Sequence, residues 1–287
     1  MIAPHAPVIV LHPEHPPVHG AAAWAESVPT VVVLLVGLEY VVLAARASRD
    51  GRGWSAWRTA SFLGGIVLLA VALRPEPLLF PHGDFRGHML QHLVIGMYAP
   101  LALVLGAPVT LLLRSVPARH GRIVGRVLRW PPVRVLAHPV TALALTIGGL
   151  AALYLTPLYV AASQHPLLHH AVHVHFLVAG YLFAYAIAGP DPAPHRPSVP
   201  ARLVVLGVAI AAHAILAQLI YAGALVQIPA PAAQLRGAAD LMYYGGDVAE
   251  LLLALALVST WRPSRRPRSR RRRANLPLPR QALSSRL

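Results

Sequence analysis

Seven apolar runs separated by short polar segments occupy most of the chain. They cover residues 28–45, 57–73, 88–113, 139–157, 167–188, 202–227 and 237–260. A helix needs about 17 to 25 apolar residues to cross a bilayer, so the second run is near the lower limit. The third contains Pro100 and Pro108, and we expect a kink or an early end there because proline removes a backbone hydrogen bond. The pattern predicts an all-α, polytopic membrane protein with about seven transmembrane helices.

The segments outside these runs divide the chain into three parts. Residues 1–27 are rich in His and Pro, contain no Lys or Arg, and do not resemble a signal peptide, which needs a positive N-terminal region. We expect this segment to be a disordered extracytoplasmic tail, followed by one membrane domain over residues 28–260. Residues 261–287 form an Arg-rich tail that we expect in the cytoplasm.

Arginine-rich and arginine-poor gaps alternate between the apolar runs. The gaps after the first, third and fifth runs and the C-terminal tail hold most of them, whereas the intervening gaps hold few. By the positive-inside rule this places the N-terminus outside and the C-terminus in the cytoplasm. The net charge of +15 is therefore interpreted as a topology signal that also favours lipid headgroups, and we expect no nucleic-acid partner.

The chain contains no Cys and 16 His. The absence of Cys excludes disulfides, iron–sulfur clusters and thiolate copper sites. Two histidine pairs with a spacing of four, His88/His92 and His169/His173, begin runs that enter from the predicted outer side. That spacing puts both rings on one helix face, about 6 Å apart, which suits a shared metal ion.

Further candidate ligands belong to the same predicted outer face. Asp240 and Met242 open the seventh run, and Met89 and Met97 belong to the third. Imidazole with thioether suits copper, whereas imidazole with carboxylate suits copper, zinc or iron. The residues alone leave three interpretations open: a metal site, axial ligation of haem, or a satisfied polar network.

Four ionisable residues lie deeper in the predicted membrane: Glu39, His213, Asp247 and Glu250. Such groups are costly in a bilayer and normally face the bundle and find partners there. They indicate either a path for protons or cations or a polar network that holds helices together. The HExxH motif typical of intramembrane metalloproteases is absent, and we do not expect an enzyme.

Four stretches of the chain resemble one family. They are His88-Met89-Leu90-Gln91-His92, His138-Pro139, His169 to His173 with the following 176–180 and Gly189-Pro190-Asp191-Pro192, and Asp240 through Gly246. In these stretches the chain is similar to the multi-span CtaG-like cytochrome c oxidase assembly proteins of Gram-positive bacteria. The resemblance covers residues 80 to 260 or so, which is most of the chain.

The resemblance implies a role in maturing a haem–copper oxidase in a bacterial plasma membrane. It maps the histidines of the family onto His88, His92, His169 and His173, with Asp240 as a further candidate. It implies copper as the species handled and an oxidase subunit as the partner; we do not expect bound haem. The alternative function is a membrane transporter or channel for copper or protons that uses the intramembrane acidic residues.

Overall fold

The computed structural model describes residues 21–74, 79–193, 196–259 and Trp261, and this part of the chain is helical with no strand. The helices are α1 (Ala21–Arg49), α2 (Ala56–Ala72), α3 (Phe85–Leu93), α4 (Ala99–Leu105), α5 (Pro108–Ser115), α6 (Ala118–Arg129), α7 (Pro131–Leu136), α8 (Pro139–Leu155), α9 (Leu158–Gln164), α10 (Pro166–Ala188), α11 (Val199–Ala222) and α12 (Ala232–Ser259). The all-α prediction is confirmed. The first helix begins at Ala21, inside the segment predicted as a tail, and residues 1–20 and 262–287 lie outside the described residues.

Five helical segments in the described residues are long and apolar enough to cross a membrane. They are Ser27–Arg49, Phe85–Ser115, Pro166–Ala188, Val199–Ala222 and Ala232–Ser259. A sixth arises if α8 and α9, which meet at a bend of 79°, are counted as one span. The apolar helix α2 has 17 residues and is shorter than these spans. The multi-span membrane architecture is therefore supported, while seven spans and the orientation of the termini stay predictions.

The outer surface of the bundle is apolar. Leu38 of α1 is 60% exposed, and Leu251 of α12 is 67% exposed. Large apolar side chains at this exposure over several whole helices form a surface far larger than the apolar patches of soluble monomers. Lipid chains are the environment that such a surface suits.

The third apolar run breaks where its prolines predict. A π-helical turn at Val94–Tyr98 precedes Pro100, and the helix stops at Gly106 before Pro108 starts α5. Ala107 between them has a φ of 52°, in the left-handed region. A residue of another helix stabilises this break: the Tyr40 hydroxyl of α1 donates a 2.7 Å hydrogen bond to the Gly106 carbonyl.

Helix α10 runs through the middle of the bundle and packs against α4, α8 and the π-helical turn. Its Gly180 lies against the backbone of Gly96 in that turn, and a Cβ on Gly180 would lie 2.8 Å from the Gly96 carbonyl carbon. Small residues allow such close backbone approach between membrane helices. This contact brings α10, which carries His169 and His173, against the segment that carries His88 and His92.

The loop after α10 is joined to the start of α5 by one carboxylate. Asp191 is 2% exposed and accepts hydrogen bonds from the backbone N–H groups of Val109 and Thr110, at 3.1 and 2.7 Å, and from the Thr110 hydroxyl. These bonds satisfy N–H groups in the first turn of α5 that have no partner within the helix. The Asp191 side chain therefore has a structural role in this fold.

Candidate metal-binding site

Three histidines from two helices converge at one end of the bundle, and we call His88, His169 and His173 the rim cluster. His88 lies at the end of the first turn of α3, and His169 and His173 lie one turn apart near the start of α10. The rings of His169 and His173 have centroids 4.3 Å apart. His88 is close enough to both to interact with them electrostatically. The structure therefore brings histidines of both predicted pairs to the same end of the bundle.

Tyr154 of α8 lies between the two histidines of the third run. Its ring centroid is 6.0 Å from that of His88 and 6.3 Å from that of His92. Its hydroxyl is 3.3 Å from His88 Nε2 and contacts the buried Met89 sulfur at 3.9 Å. A hydrogen bond to one ring nitrogen orients an imidazole and leaves its other nitrogen for a ligand. Tyr154 thus holds the His88 ring, and no sequence pattern indicated it.

Start-of-helix contacts hold α3 in place at the same end of the bundle. Asp84, just before α3, accepts a hydrogen bond from the Arg86 backbone N–H and forms a 2.6 Å ion pair with the Arg86 side chain. This hydrogen-bonded guanidinium holds the pKa of Asp84 below its ordinary value. Gln91, in the same motif as the histidines, donates a 2.7 Å hydrogen bond to the Ala72 carbonyl at the end of α2. The motif therefore combines a helix-joining Gln with candidate ligands.

His92 is close enough to His88 and His173 of the rim cluster to interact with them electrostatically, and it also faces a second set of groups. It is 6% exposed and lines a cavity of about 40 Å³ together with His213 of α11, Glu250 of α12 and Met97. His213 Nδ1 is 3.7 Å from Glu250 Oε1. We call His92, His213 and Glu250 the inner site. The predicted association of His213 with Glu250 is present, and His92 joins it.

Several polar atoms of the inner site have no hydrogen-bond partner in the described part of the protein. They are both ring nitrogens of His92, Nε2 of His213 and Oε2 of Glu250. Buried polar atoms almost always find a partner, either in the protein or in water. The cavity has room for about three or four water molecules at about 10–15 Å³ each, or for an ion. The inner site is thus a cavity with polar lining atoms that can bind water molecules or a small ion.

Glycines at the helix crossings make room for the inner site. Gly246 of α12 faces the His213 ring, and a Cβ there would lie 2.5 Å from His213 Nδ1. Gly96 faces the His92 ring in the same way, at 3.3 Å from Cε1. The Tyr98 hydroxyl donates a 2.7 Å hydrogen bond to the Gly245 carbonyl, which fixes α12 against the π-helical turn. π-Helical turns of this kind are frequent at functional sites.

The remaining predicted residues do not join either group. Asp240 is exposed on the first half of α12, and Glu39 is exposed on α1, away from the inner site. Asp247 is half-buried and interacts electrostatically with Glu250, although it does not line the cavity. Met242 is fully buried. The face of a helix on which a residue lies, rather than its depth, separates these residues from the two sites.

No three His, Cys, Asp or Glu side chains among the described residues are grouped closely enough, as they stand, to hold a metal ion. The rim cluster offers one close imidazole pair and a third imidazole nearby. His170, the neighbour of His169, is exposed and its Nδ1 lies 2.7 Å from the Pro166 carbonyl of its own helix. His138 is likewise used locally, because its Nδ1 accepts from the Val140 N–H at the start of α8.

Comparison with known proteins decides the family. The sequence model of the cytochrome c oxidase caa3 assembly factor family matches residues 38–264, which include the rim cluster and the inner site. The chain belongs to this family of cytochrome c oxidase assembly factors. The resemblance inferred from the His88–His92 and His169–His173 motifs is confirmed.

Relatives of this assembly-factor chain occur in mycobacteria. An uncharacterized protein of Mycobacterium leprae is 33% identical over 196 residues, which is 66% of this chain and 30% of the relative. An uncharacterized protein of Mycobacterium tuberculosis is 34% identical over 190 residues, 64% of this chain and 28% of the relative. The chain thus spans less than a third of the length of these relatives. No solved structure gives a significant match.

Proposed function

We propose that the protein assists the assembly of a haem–copper cytochrome c oxidase by binding copper at the rim cluster and delivering it to an oxidase subunit in the bacterial plasma membrane. The observation that carries this proposal is the convergence of His88 with His169 and His173 from a second helix. Such a role needs binding and release and does not require catalysis by this chain.

The donor set of the rim cluster fits copper as cargo. Imidazole is a good ligand for copper, and the site needs no thiolate, in agreement with the absence of Cys. The His169 and His173 rings, at a centroid separation of 4.3 Å, are close enough for a small side-chain rotation to direct one nitrogen of each toward a shared ion. His88, oriented by Tyr154, is the third donor. A site that closes only around its ion suits a protein that must give the ion away.

Copper binding by single-site variants tests this proposal. The full chain is purified in detergent, and its affinity for Cu(I) and Cu(II) is measured by competition with a chelator. We expect His169→Ala and His88→Ala each to weaken binding at least tenfold, because loss even of a group that orients a ligand costs about 10–100-fold. His170→Ala is the matched control: it removes an exposed imidazole from the same helix and leaves the affinity unchanged.

The second half of the test is made in cells. In a strain that lacks the protein, we expect oxidase to accumulate with little copper, and the His170→Ala variant to restore the copper content. The His169→Ala variant restores little or none. If both rim variants bind copper like the wild type, copper binding at the rim is refuted, and a role in assembly without copper remains to be judged from the deletion strain alone.

Transport of a cation through the bundle is a second candidate function, and the inner site favours it. His92, His213 and Glu250 provide unpartnered polar atoms around one cavity in the middle of the helices. In liposomes, a transporter would carry copper or proton flux that Glu250→Gln abolishes. Glu39→Gln, which alters an exposed acid of α1, serves as the control and leaves that flux intact. Absence of flux with the wild-type protein would exclude this function.

A further inference from the structure

A second cavity lies at the end of the bundle opposite the rim cluster. It is half-open, has a volume of about 610 Å³, and is lined by α7, the start of α8, the last turns of α10 and the loop that follows α10. Its walls are largely apolar, with Val133, Leu182 and Ala186 among them, and Arg134 and Arg196 also line it. This volume is within the range of about 300–1,000 Å³ that ligand pockets occupy.

Positive charge gathers at this cavity without a matching negative charge. Among the described residues the ion pairs are Arg86–Asp84 and His213–Glu250, so neither Arg134, Arg196 nor the nearby Arg202 has a carboxylate partner in an ion pair. Arg196 and Arg202 are close enough to repel each other electrostatically, and the Nε atom of each is buried without a hydrogen-bond partner. Both guanidinium groups therefore lack part of the hydrogen bonding that their burial demands.

Asp191 is the carboxylate that interacts electrostatically with Arg196, and its oxygens are already in use. Both oxygens of Asp191 accept hydrogen bonds from the start of α5, and Arg196 reaches only the Asp191 backbone carbonyl, at 3.0 Å. Burial lowers the pKa of the Arg196 guanidinium below its ordinary value, as expected for a cation without a full counter-charge. Arg196 also lies over the Tyr185 ring, with 5.6 Å between its Cζ and the ring centroid. These contacts fix the position of the Arg196 guanidinium, and its unpartnered Nε–H is able to bind an anion.

The surroundings identify the class of anion. The neighbouring helix α6 is amphipathic: it carries Arg122 and Arg126 together with Ile123 and Val127, which are 52% and 51% exposed. Such a helix lies along a membrane surface, with its apolar side in the lipid and its basic side toward the headgroups. The cavity beside it combines an apolar interior with the basic side chains of Arg134 and Arg196. Basic pockets between membrane helices bind anionic lipid headgroups.

We infer that this cavity is a specific binding site for an anionic phospholipid, with Arg134 and Arg196 holding the phosphate and the apolar walls of α7 and α10 holding the upper part of an acyl chain. Arginine suits this task because its planar fork of N–H groups matches phosphate geometry. The site shares no residue with the rim cluster and does not rest on the proposed handling of copper.

Native mass spectrometry and thermal unfolding of the full chain in detergent test this inference, with phosphatidylglycerol and phosphatidylcholine of identical acyl chains as the probes. We expect phosphatidylglycerol to stay bound and to raise the melting temperature more than phosphatidylcholine. Arg134→Gln and Arg196→Gln should each reduce the affinity for phosphatidylglycerol about fivefold, since one basic residue near a lipid surface contributes about 1 kcal/mol.

Two further variants separate the cavity from general surface attraction. Arg119→Gln removes an exposed charge of α6 that does not line the cavity, and it should leave the lipid preference unchanged. Thr141→Trp places a bulky indole at the wall of the cavity without altering charge and should weaken lipid binding. Arg134 is exposed and Thr141 is partly exposed, so we expect Arg134→Gln and Thr141→Trp to fold even if Arg196→Gln does not.

Three outcomes would overturn the inference: equal binding of the two lipids by the wild type, unchanged preference in both Arg134→Gln and Thr141→Trp, or an equal loss in Arg119→Gln. Copper affinity, measured on the same preparations, should be unaffected by all four variants. Failure of the lipid site is thereby distinguishable from failure of the rim cluster.

Discussion

Replacement of Gly180 by alanine tests the contact that brings the two histidine-bearing segments together. A Cβ at this position would lie against the Gly96 carbonyl oxygen, 2.8 Å from the Gly96 carbonyl carbon and 3.1 Å from Pro100 Cγ. Non-bonded carbon atoms are best separated by about 3.5–4.0 Å, so α10 and the π-helical turn must part by about 1 Å. The atoms in the way are backbone and a proline ring, which cannot rotate aside.

Overpacking of this kind costs about 1–3 kcal/mol of folding free energy. At about 2–4 °C for each kcal/mol in a chain somewhat smaller than this one, we expect Gly180→Ala to lower the melting temperature by about 2–12 °C. The displacement also moves His169 and His173 away from His88. We therefore expect copper affinity at the rim cluster to fall in the same variant.

The assay is thermal unfolding of the detergent-solubilised protein at one fixed scan rate, followed by chelator competition for copper. Gly207→Ala is the matched control, because Gly207 is also helical and a Cβ there would meet open space. We expect the control to melt at or above the wild-type temperature. A Gly180→Ala protein that melts like this control would refute the close approach of α10 to the π-helical turn.

Three further substitutions have definite expected outcomes. Asp191→Ala leaves backbone N–H groups at the start of α5 without their acceptor and should lower the free energy of unfolding by about 1–3 kcal/mol in thermal melts, with part of the loss recovered in Asp191→Asn. Tyr40→Phe should cost about 0.5–1.5 kcal/mol, because it removes the hydrogen bond to the Gly106 carbonyl and keeps the stacked ring; a neutral result would mean that this bond does not hold the break. Arg86 lowers the pKa of Asp84, so the stability that this pair contributes is full above pH about 4 and is lost as the pH falls through the lowered pKa. The difference in melting temperature between the wild type and Asp84→Asn should therefore shrink in acid. A difference that stays constant with pH would contradict this.

The apolar runs were enough to predict an all-α membrane protein, because the length and hydrophobicity of a span are properties of consecutive residues. The same local information located the interruptions of the third run, since Pro100 and Pro108 act on their own helix. The histidine spacing and the quoted motifs were also sufficient to indicate the family that the comparison confirms.

The packing of the bundle determines which helix faces meet. These contacts determine which residues line each site. Depth alone grouped Glu39 with His213 and Glu250, but Glu39 lies on an exposed face of α1. The spacing of His88 and His92 indicated one shared site, which stays a prediction. It gave no signal that Tyr154 contacts both rings or that His92 also lines the inner cavity. Neither Tyr154 nor the 610 Å³ cavity beside Arg196 had a sequence signal, because both depend on residues far apart in the chain.

The sequence by itself therefore determined the membrane-helical class, the breaks in the third run, the absence of thiolate ligands and the family. The tertiary structure places His88 near His169 and His173, places His92 near both the rim cluster and His213 with Glu250, and leaves Asp240 exposed and apart from them. The physical reason is that composition and spacing act within one helix, whereas the crossings that bring ligands together depend on close backbone contacts such as Gly180 against Gly96.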